Sequence, residues 1–368
     1  MKFQSGRHGL QTAILLIAGF ALGGAGCAKI ADPQPPQVRI PKPAADLAAH
    51  QVADAILLTV SKPAQNTDGT PVGILRSLEV FRLAEAAKNS GSAVMPEKEF
   101  LAKSALILSI PSASFPNYLR GSEFLIRDRL PAPQASSPDS RAFRYAVVFV
   151  NDKRQAAGLS NQAFIRPLRI PPPPDELSAE VTEHSIRLKW QAPPMNRDGA
   201  DSFQFAGYEV CRSENSDMSA SAVISPDLLQ NTEFEDRDFG FDKTYYYAVR
   251  TMGSRQNPRA ESLLSKTFAV AARDVFPPAP PGDLNSLIEN GTVVLLWGPS
   301  SSNDVAGYRI YRKEQGAAAS QLLQKELIAG WSFRDDSAVA GKRYEYLVHA
   351  VDTHGNEGAA VRATVEIR

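Results

Sequence analysis

AGYEVCRSE occupies residues 206–214, and AGYRIYRKE occupies residues 306–314. In each copy the large side chains alternate, so that Tyr208 and Val210, or Tyr308 and Ile310, share one face of an extended strand. A third, more worn copy, SLEVFRLAE, runs over residues 77–85, with Leu78 in the place of the tyrosines and Arg82 in the place of Arg212 and Arg312. A chain that repeats one strand three times is built from repeated units, and its function is to be sought in what such units do together.

The flanking sequence repeats in the same order. Ile186-Leu188-Trp190 and Val293-Leu295-Trp297 precede the second and third copies, and Ile56-Leu58-Val60 precedes the first, without the tryptophan. Period-two spacing puts each trio on the buried face of a strand and turns Arg187 and Lys189 to solvent. After the motif come Ile126-Arg127-Asp128, Phe234-Glu235-Asp236 and Phe333-Arg334-Asp335. Each is followed by a turn and then by an aromatic strand, marked by Phe143-Tyr145-Val147-Phe149, Tyr245-Tyr247-Val249 and Tyr344-Tyr346-Val348. Three proline clusters, PQPPQVRIPKP (33–43), PLRIPPPP (167–174) and FPPAPPG (276–282), open the three units. Such runs favour extended polyproline II and read as fairly stiff spacers.

These residues resemble fibronectin type III domains: the proline-led opening, the tryptophan closing the second strand, the Gly-Tyr-x-Val-x-Arg third strand, the Tyr-x-Tyr-x-Val strand and the AVDTHGNEG turn (350–358). The resemblance covers residues 173–368 as two modules and extends to a divergent one before them. It implies all-β, tandem immunoglobulin-like β-sandwiches joined by proline-rich linkers. The expected organisation is a cleaved signal (1–26), an anchor and proline-rich linker (27–43), a divergent module (44–168) with an insertion at about 83–123, and two regular modules (173–274 and 279–368). It also implies that Tyr245 and Tyr344 sit at the corner entering the sixth strand, where a hydroxyl ties down the turn. The insertion contains PEKEFLAKSALILSI (96–110), in which Phe100, Leu101, Ala105 and Leu108 at helical spacing suggest a short amphipathic helix. It reads either as a loop covering a sheet edge or as a docking element peculiar to this chain.

At the N-terminus, Lys2 and Arg7 precede the apolar run TAILLIAGFAL (12–22), then Gly23-Gly24-Ala25-Gly26 and Cys27. A basic start, a short apolar core and small residues before a cut describe a secretory signal, too short and wrongly flanked for a spanning helix. Ala25-Gly26-Cys27 resembles the bacterial lipobox, although Gly24 stands where that pattern prefers leucine. The resemblance implies a lipid on Cys27, with plain secretion and a retained anchor helix as the alternatives. Ala28 carries no aspartate-type retention signal, which favours the outer membrane. Cys211 is then left without a partner and reads as a small buried hydrophobe rather than a reactive thiol.

Among the 368 residues, Lys+Arg and Asp+Glu are both 40, so the formal net charge is +0 and no basic face points to nucleic acid. The five histidines are scattered with no Cys/His ligand spacing, and neither a zinc site nor a calcium loop is expected. Glu235-Asp236 and Asp335-Asp336 recur at equivalent turns and read as backbone-bonding carboxylates rather than as an acid/base pair. The common catalytic motifs are absent, so no enzyme and no cofactor are expected. Binding is expected on polar loops, with Arg154, Arg255, Arg259, His354 and Asn356 as the candidate contacts. The leading expectation is a non-catalytic cell-envelope protein, held to the membrane through Cys27, whose modules act as a spacer or contact an envelope protein or polysaccharide. The alternative is an accessory or substrate-binding subunit of an exported hydrolase or envelope complex.

Overall fold

The computed structural model describes residues 39–86, 93–130, 141–195 and 203–368. The signal segment and Cys27 lie outside the described residues. The first module contains β1 (Ala48–Val52), β2 (Ala55–Ser61), β3 (Leu75–Ala86), α1 (Glu97–Lys103), β4 (Ala105–Pro111), α2 (Phe115–Tyr118), β5 (Leu119–Arg120), β6 (Glu123–Arg129), β7 (Arg141–Asn151) and β8 (Ala163–Ile165). The second contains β9 (Asp175–Val181), β10 (Ile186–Gln191), β11 (Gly207–Ser213), β12 (Ala222–Val223), β13 (Glu233–Asp236), β14 (Lys243–Ser254), β15 (Ala260–Glu261) and β16 (Phe268–Ala272). The third contains β17 (Asn285–Glu289), β18 (Thr292–Leu296), β19 (Val305–Glu314), β20 (Gln321–Leu322), β21 (Ser332–Asp335), β22 (Arg343–Asp352) and β23 (Glu357–Glu366).

Each module is two antiparallel sheets face to face. In the third, β17-β18-β21 opposes β20-β19-β22-β23. In the second, β9-β10-β13 opposes β12-β11-β14-β16, and in the first, β1-β2-β6-β5 opposes β4-β3-β7-β8. Alternation fills the gap: Ile186, Leu188 and Trp190 meet Tyr208, Val210, Tyr247 and Val249, while Arg187 and Lys189 are exposed. The third module repeats this with Val293, Leu295 and Trp297 against Tyr308, Ile310, Tyr346 and Val348. In both, the tryptophan meets the motif tyrosine edge-on at 5.5 Å. The first module lacks the tryptophan and fills its core instead with Phe115, Phe124 and Phe149, whose rings lie 4.9 and 5.8 Å apart in sequence. Burying each such side chain stabilises its module by roughly 1.5–3 kcal/mol.

The glycine of the repeated motif has a steric cause. Tyr208 and Leu229 exchange backbone hydrogen bonds, as do Tyr308 and Ile328, which presses a loop onto the start of the strand. A Cβ on Gly207 would lie 2.8 Å from Leu228 Cβ, and its φ of +146° is one that other residues rarely adopt. On Gly307 a Cβ would lie 2.9 Å from Leu327 Cβ.

The insertion corrects the helical reading of 96–110. The helix stops at Lys103, and Ala105 and Leu108 belong to β4, the edge strand beside β3. Seven residues are too few for a stable isolated helix, so α1 depends on packing. Phe100 supplies it, fully buried against Leu83 and Ala146 on the outer face of the sheet, while Leu101 is exposed. That cover buries Ala146 on the outer face of β7, a strand buried on both faces from Ala142 to Asn151.

The segments between modules are not bare spacers. Gln51 on β1 is 4% exposed; its Oε1 accepts the Leu168 N–H at 2.6 Å, and its Nε2 donates to the Leu168 and Ala53 carbonyls at 2.8 Å. The Thr251 hydroxyl donates to the Pro171 carbonyl at 2.7 Å. Beside these contacts β15 pairs in parallel with β1, Gln51 opposite Ala260 and Val52 opposite Glu261. The four-stranded sheet of the second module therefore runs on, through β15, into the β1-β2-β6-β5 sheet of the first.

Candidate functional site

Three arginines of the repeated strand find the same partners. Arg212 lies 2.8 Å from Asp236, which also accepts the Tyr247 hydroxyl at 2.7 Å. Arg312 lies 2.7 Å from Asp335, which accepts the Tyr346 hydroxyl at 2.7 Å. Arg82 lies 2.8 Å from Asp128, which accepts the Tyr145 hydroxyl at 2.6 Å. Each guanidinium also covers an aromatic ring, Phe143, Tyr245 or Tyr344, at 5.6, 5.1 and 4.8 Å. Burial and the adjacent carboxylate push all three tyrosine hydroxyls far up, so they stay neutral donors. Asp236 and Asp335 also accept the N–H groups of Asp238 and Ser337, as expected of turn carboxylates. The Tyr245 hydroxyl accepts the Gly240 N–H at 2.9 Å, and Tyr344 accepts that of Val339 at 3.4 Å, which forms the expected tyrosine corner. These constellations hold sheets and turns together, and none presents a reactive group to solvent.

The candidate loop residues are gathered chiefly at the module junctions. Asn151–Gln155 and Asp352–Asn356 form the same turn: Asn151 and Asp352 each accept the N–H four residues on, at 2.8 Å in both cases. Arg154 takes the positive-φ position that Gly355 holds in the other copy, and its side chain is exposed. The Asn356 amide is engaged by Asp352 at 2.8 Å and by the Asp274 carbonyl at 3.3 Å. His354, at the tip of that turn, faces Asp242 of the second module.

Arg255 and Arg259 belong to a buried charge network. Glu209, fully buried on the outward face of β11, lies 2.9 Å from Arg250, 2.6 Å from Arg259 and 3.3 Å from Arg255. Glu261 joins Arg250 at 2.9 Å and also pairs with Arg259. Carboxylates neutralise both candidate arginines, so neither is a ready anion contact. Their partners escaped the sequence because the outward face of β11 looks like a solvent face, whereas Arg250, Arg255 and Arg259 face Glu209 and Met218 packs against Cys211. The exchange of Glu209 in AGYEV for Arg309 in AGYRI is the trace it leaves. Cys211, on that same face, is 3% exposed, and burial pushes its thiol pKa up.

A cleft of about 360 Å³ follows the first junction, lined by Gln51, Leu168, Ile170, Pro172, Phe203 and Leu263. At the second junction the carboxylates of Asp274, Asp304 and Asp352 lie within 4.8 Å of one another. Asp352 accepts the N–H groups of His354 and Asn356 at 2.9 and 2.8 Å, and Asp274 accepts that of Phe276 at 3.1 Å. Among the described residues no helix is long and apolar enough to cross a membrane.

Paired three- and four-stranded sheets, the repeated Tyr-x-Tyr strand and the tyrosine corner define tandem fibronectin type III-like sandwiches. No family model matches the chain. Among curated proteins it is similar to Exoglucanase B of Cellulomonas fimi, 27% identical over 184 residues, which are 49% of this chain and 15% of that protein. It is also similar to an amylopullulanase of Thermoanaerobacterium saccharolyticum, 32% identical over 145 residues, which are 39% of this chain and 11% of that protein. The chain thus spans only a small part of either relative. Among solved structures it resembles a two-domain fibronectin type III segment of chicken tenascin, with TM-score 0.36 and 16% identity, covering 53% of this chain and 99% of that one. It also resembles the FN1-FN3 domains of chicken CNTN1, with TM-score 0.27 and 15% identity, covering 89% and 99%.

Proposed function

We propose that the chain is a non-catalytic, lipid-anchored protein of the bacterial cell envelope whose modules act as a spacer and present surfaces to an envelope protein or polysaccharide. The observation that carries this reading is that Glu209, Asp236 and Asp335, three of the most buried charged residues among those described, are spent on arginines and tyrosines within the sandwiches. Acid/base chemistry needs such groups aimed into a substrate cleft. Ala25-Gly26-Cys27 supports the anchor, in which each buried CH₂ contributes about 0.8 kcal/mol. The similarity to an exoglucanase and an amylopullulanase supports export and a setting among polysaccharides. The intact mass of the mature protein taken from membranes tests the anchor. A start at residue 27 with added acyl mass, lost in Cys27→Ala, is the expected result; an unmodified mass in both refutes it.

An accessory-subunit role is the second reading. It rests on the first module's insertion, where Val94, Leu101 and Leu106 are 77%, 38% and 52% exposed. Phe100 and Ile110 are fully buried, so deleting residues 96–110 would unfold the module. The sound test is co-purification of one stoichiometric partner with the intact chain, lost in the Leu101→Ser/Leu106→Ser variant.

A further inference from the structure

One imidazole bridges carboxylates at the boundary between the second and third modules. His354 Nε2 lies 2.9 Å from Asp242 Oδ2, on the turn that enters β14 of the second module. Its Nδ1 lies 3.1 Å from Asp274 Oδ2, in the segment joining the two modules, and 3.4 Å from the Thr353 hydroxyl. The Asp274 side chain is 4% exposed and that of His354 29%. Phe241 meets the imidazole edge-on at 6.3 Å and packs against Phe276 at 6.0 Å. Two further carboxylates complete the surroundings: Asp352, on the same turn, and Asp304, from the loop before β19.

A neutral imidazole has one N–H and one lone pair, so it can donate to only one of two flanking carboxylates. The other nitrogen would then turn its lone pair toward a carboxylate oxygen. The imidazolium keeps the Nε2–H bond to Asp242 and is attracted by Asp274 at ion-pair distance from Nδ1, whereas the neutral ring, with Nδ1 facing the Thr353 hydroxyl, loses the attraction of both carboxylates. We propose that His354 is a proton-dependent clasp, fixing the third module against the second while its ring is charged and releasing it when the ring is neutral.

Electrostatics support the geometry. Asp242 above all, with Asp274 and Asp352 adding to it, holds the His354 pKa above the ordinary imidazole value, despite the opposing effect of burial. A group whose pKa is raised in the closed form contributes fully below its free value and ceases to contribute as pH rises through the raised one. Deprotonation leaves four carboxylates without a cation between them, Asp242 and Asp274 on the second module and Asp304 and Asp352 on the third.

The test uses the mature chain in solution at about pH 5.5 and about pH 9, on either side of the imidazole range. Histidine NMR titration gives the midpoint, with the resonance assigned by its loss in His354→Gln, and small-angle scattering gives the dimensions. The expected result is a midpoint above about 6.5, a more extended chain at the higher pH, extension at both pH values in His354→Gln, and a lowered midpoint in Asp242→Asn. Asp242 is 70% exposed, so that variant keeps its fold. A midpoint at or below the ordinary value overturns the proposal, as do dimensions indifferent to pH, a pH response that survives in His354→Gln, or restoration of the compact form by millimolar calcium in that variant.

Discussion

Arg212 and Asp236 meet across the second module at 2.8 Å, joining β11 of one sheet to the end of β13 in the other. The carboxylate is 4% exposed and the guanidinium 19%, so this is a largely buried ion pair, with the Tyr247 hydroxyl on its inner side and Asp238 on its outer one. Asp236→Ala removes a charge-assisted hydrogen bond from Arg212, which keeps Asp238, and another from the buried Tyr247 hydroxyl, and is expected to cost about 3 kcal/mol. Tyr247→Phe removes one hydrogen bond to a charged group and is expected to cost about 1.5 kcal/mol. Urea denaturation of the two variants measures both, and equal losses would show that the tyrosine, not the ion pair, governs the site.

Acid is expected to act on the third module through the equivalent carboxylate. Burial alone would raise the Asp335 pKa, but the hydroxyls of Ser337 and Tyr346 and the Arg312 guanidinium outweigh it and hold the group below the usual aspartate value. A depressed pKa gives stability that is present above the unfolded value and lost as pH falls through the folded one. The unfolding free energy should therefore be level near neutrality and decline below about pH 4. In Ser337→Ala the Asp335 pKa moves back toward the unfolded value, so stability near neutrality is lower and the further decline below about pH 4 should be smaller, as followed by tryptophan fluorescence.

Gln51 sets the coupling of the first two modules. Wild type is expected to melt them in one calorimetric transition, because the strand pairing and the Gln51–Leu168 bonds cross their boundary. Gln51→Ala leaves a buried N–H and a carbonyl unpaired, at a cost of about 1–3 kcal/mol, and should split the transition in two. A wild type that already melts in separate steps would show that the junction is weak.

Phe100 anchors α1. Phe100→Ala opens a cavity under a helix too short to hold itself and is expected to cost about 3 kcal/mol. Hydrogen exchange should show protection lost in α1 and the facing part of β7 while the rest of the first module is unchanged.

The thiol of Cys211 should ignore a disulfide reagent in the native chain and react once the chain is denatured. If Cys27 carries its lipid through sulfur, the denatured mature protein yields one thiol, and otherwise two.

The repeat was legible because its cause is local. Alternation at Ile186-Leu188-Trp190, the motif glycine and the aromatic strand each obey rules that act within a few residues. The end of α1 was not legible, because Leu101, Ala105 and Leu108 satisfy a helical period that strand pairing with β3 overrides. The junctions were hidden for another reason: Gln51, Glu209 and Asp242 are ordinary polar residues until a distant segment covers them. Arg255 and His354 were found as exposed loop charges, but the carboxylates they face lie far away in sequence.

The parallel pairing of β1 with β15 has a mechanical consequence. A pull between an N-terminal tether and a load on the last module would draw the two strands lengthwise past each other. The Gln51 and Ala53 N–H groups, which donate to Arg259 and Glu261 at 2.7 and 2.8 Å, would be strained together rather than unzipped one after another. The first two modules would thus bear tension as one stiff rod, and compliance would be left to the boundary before the third.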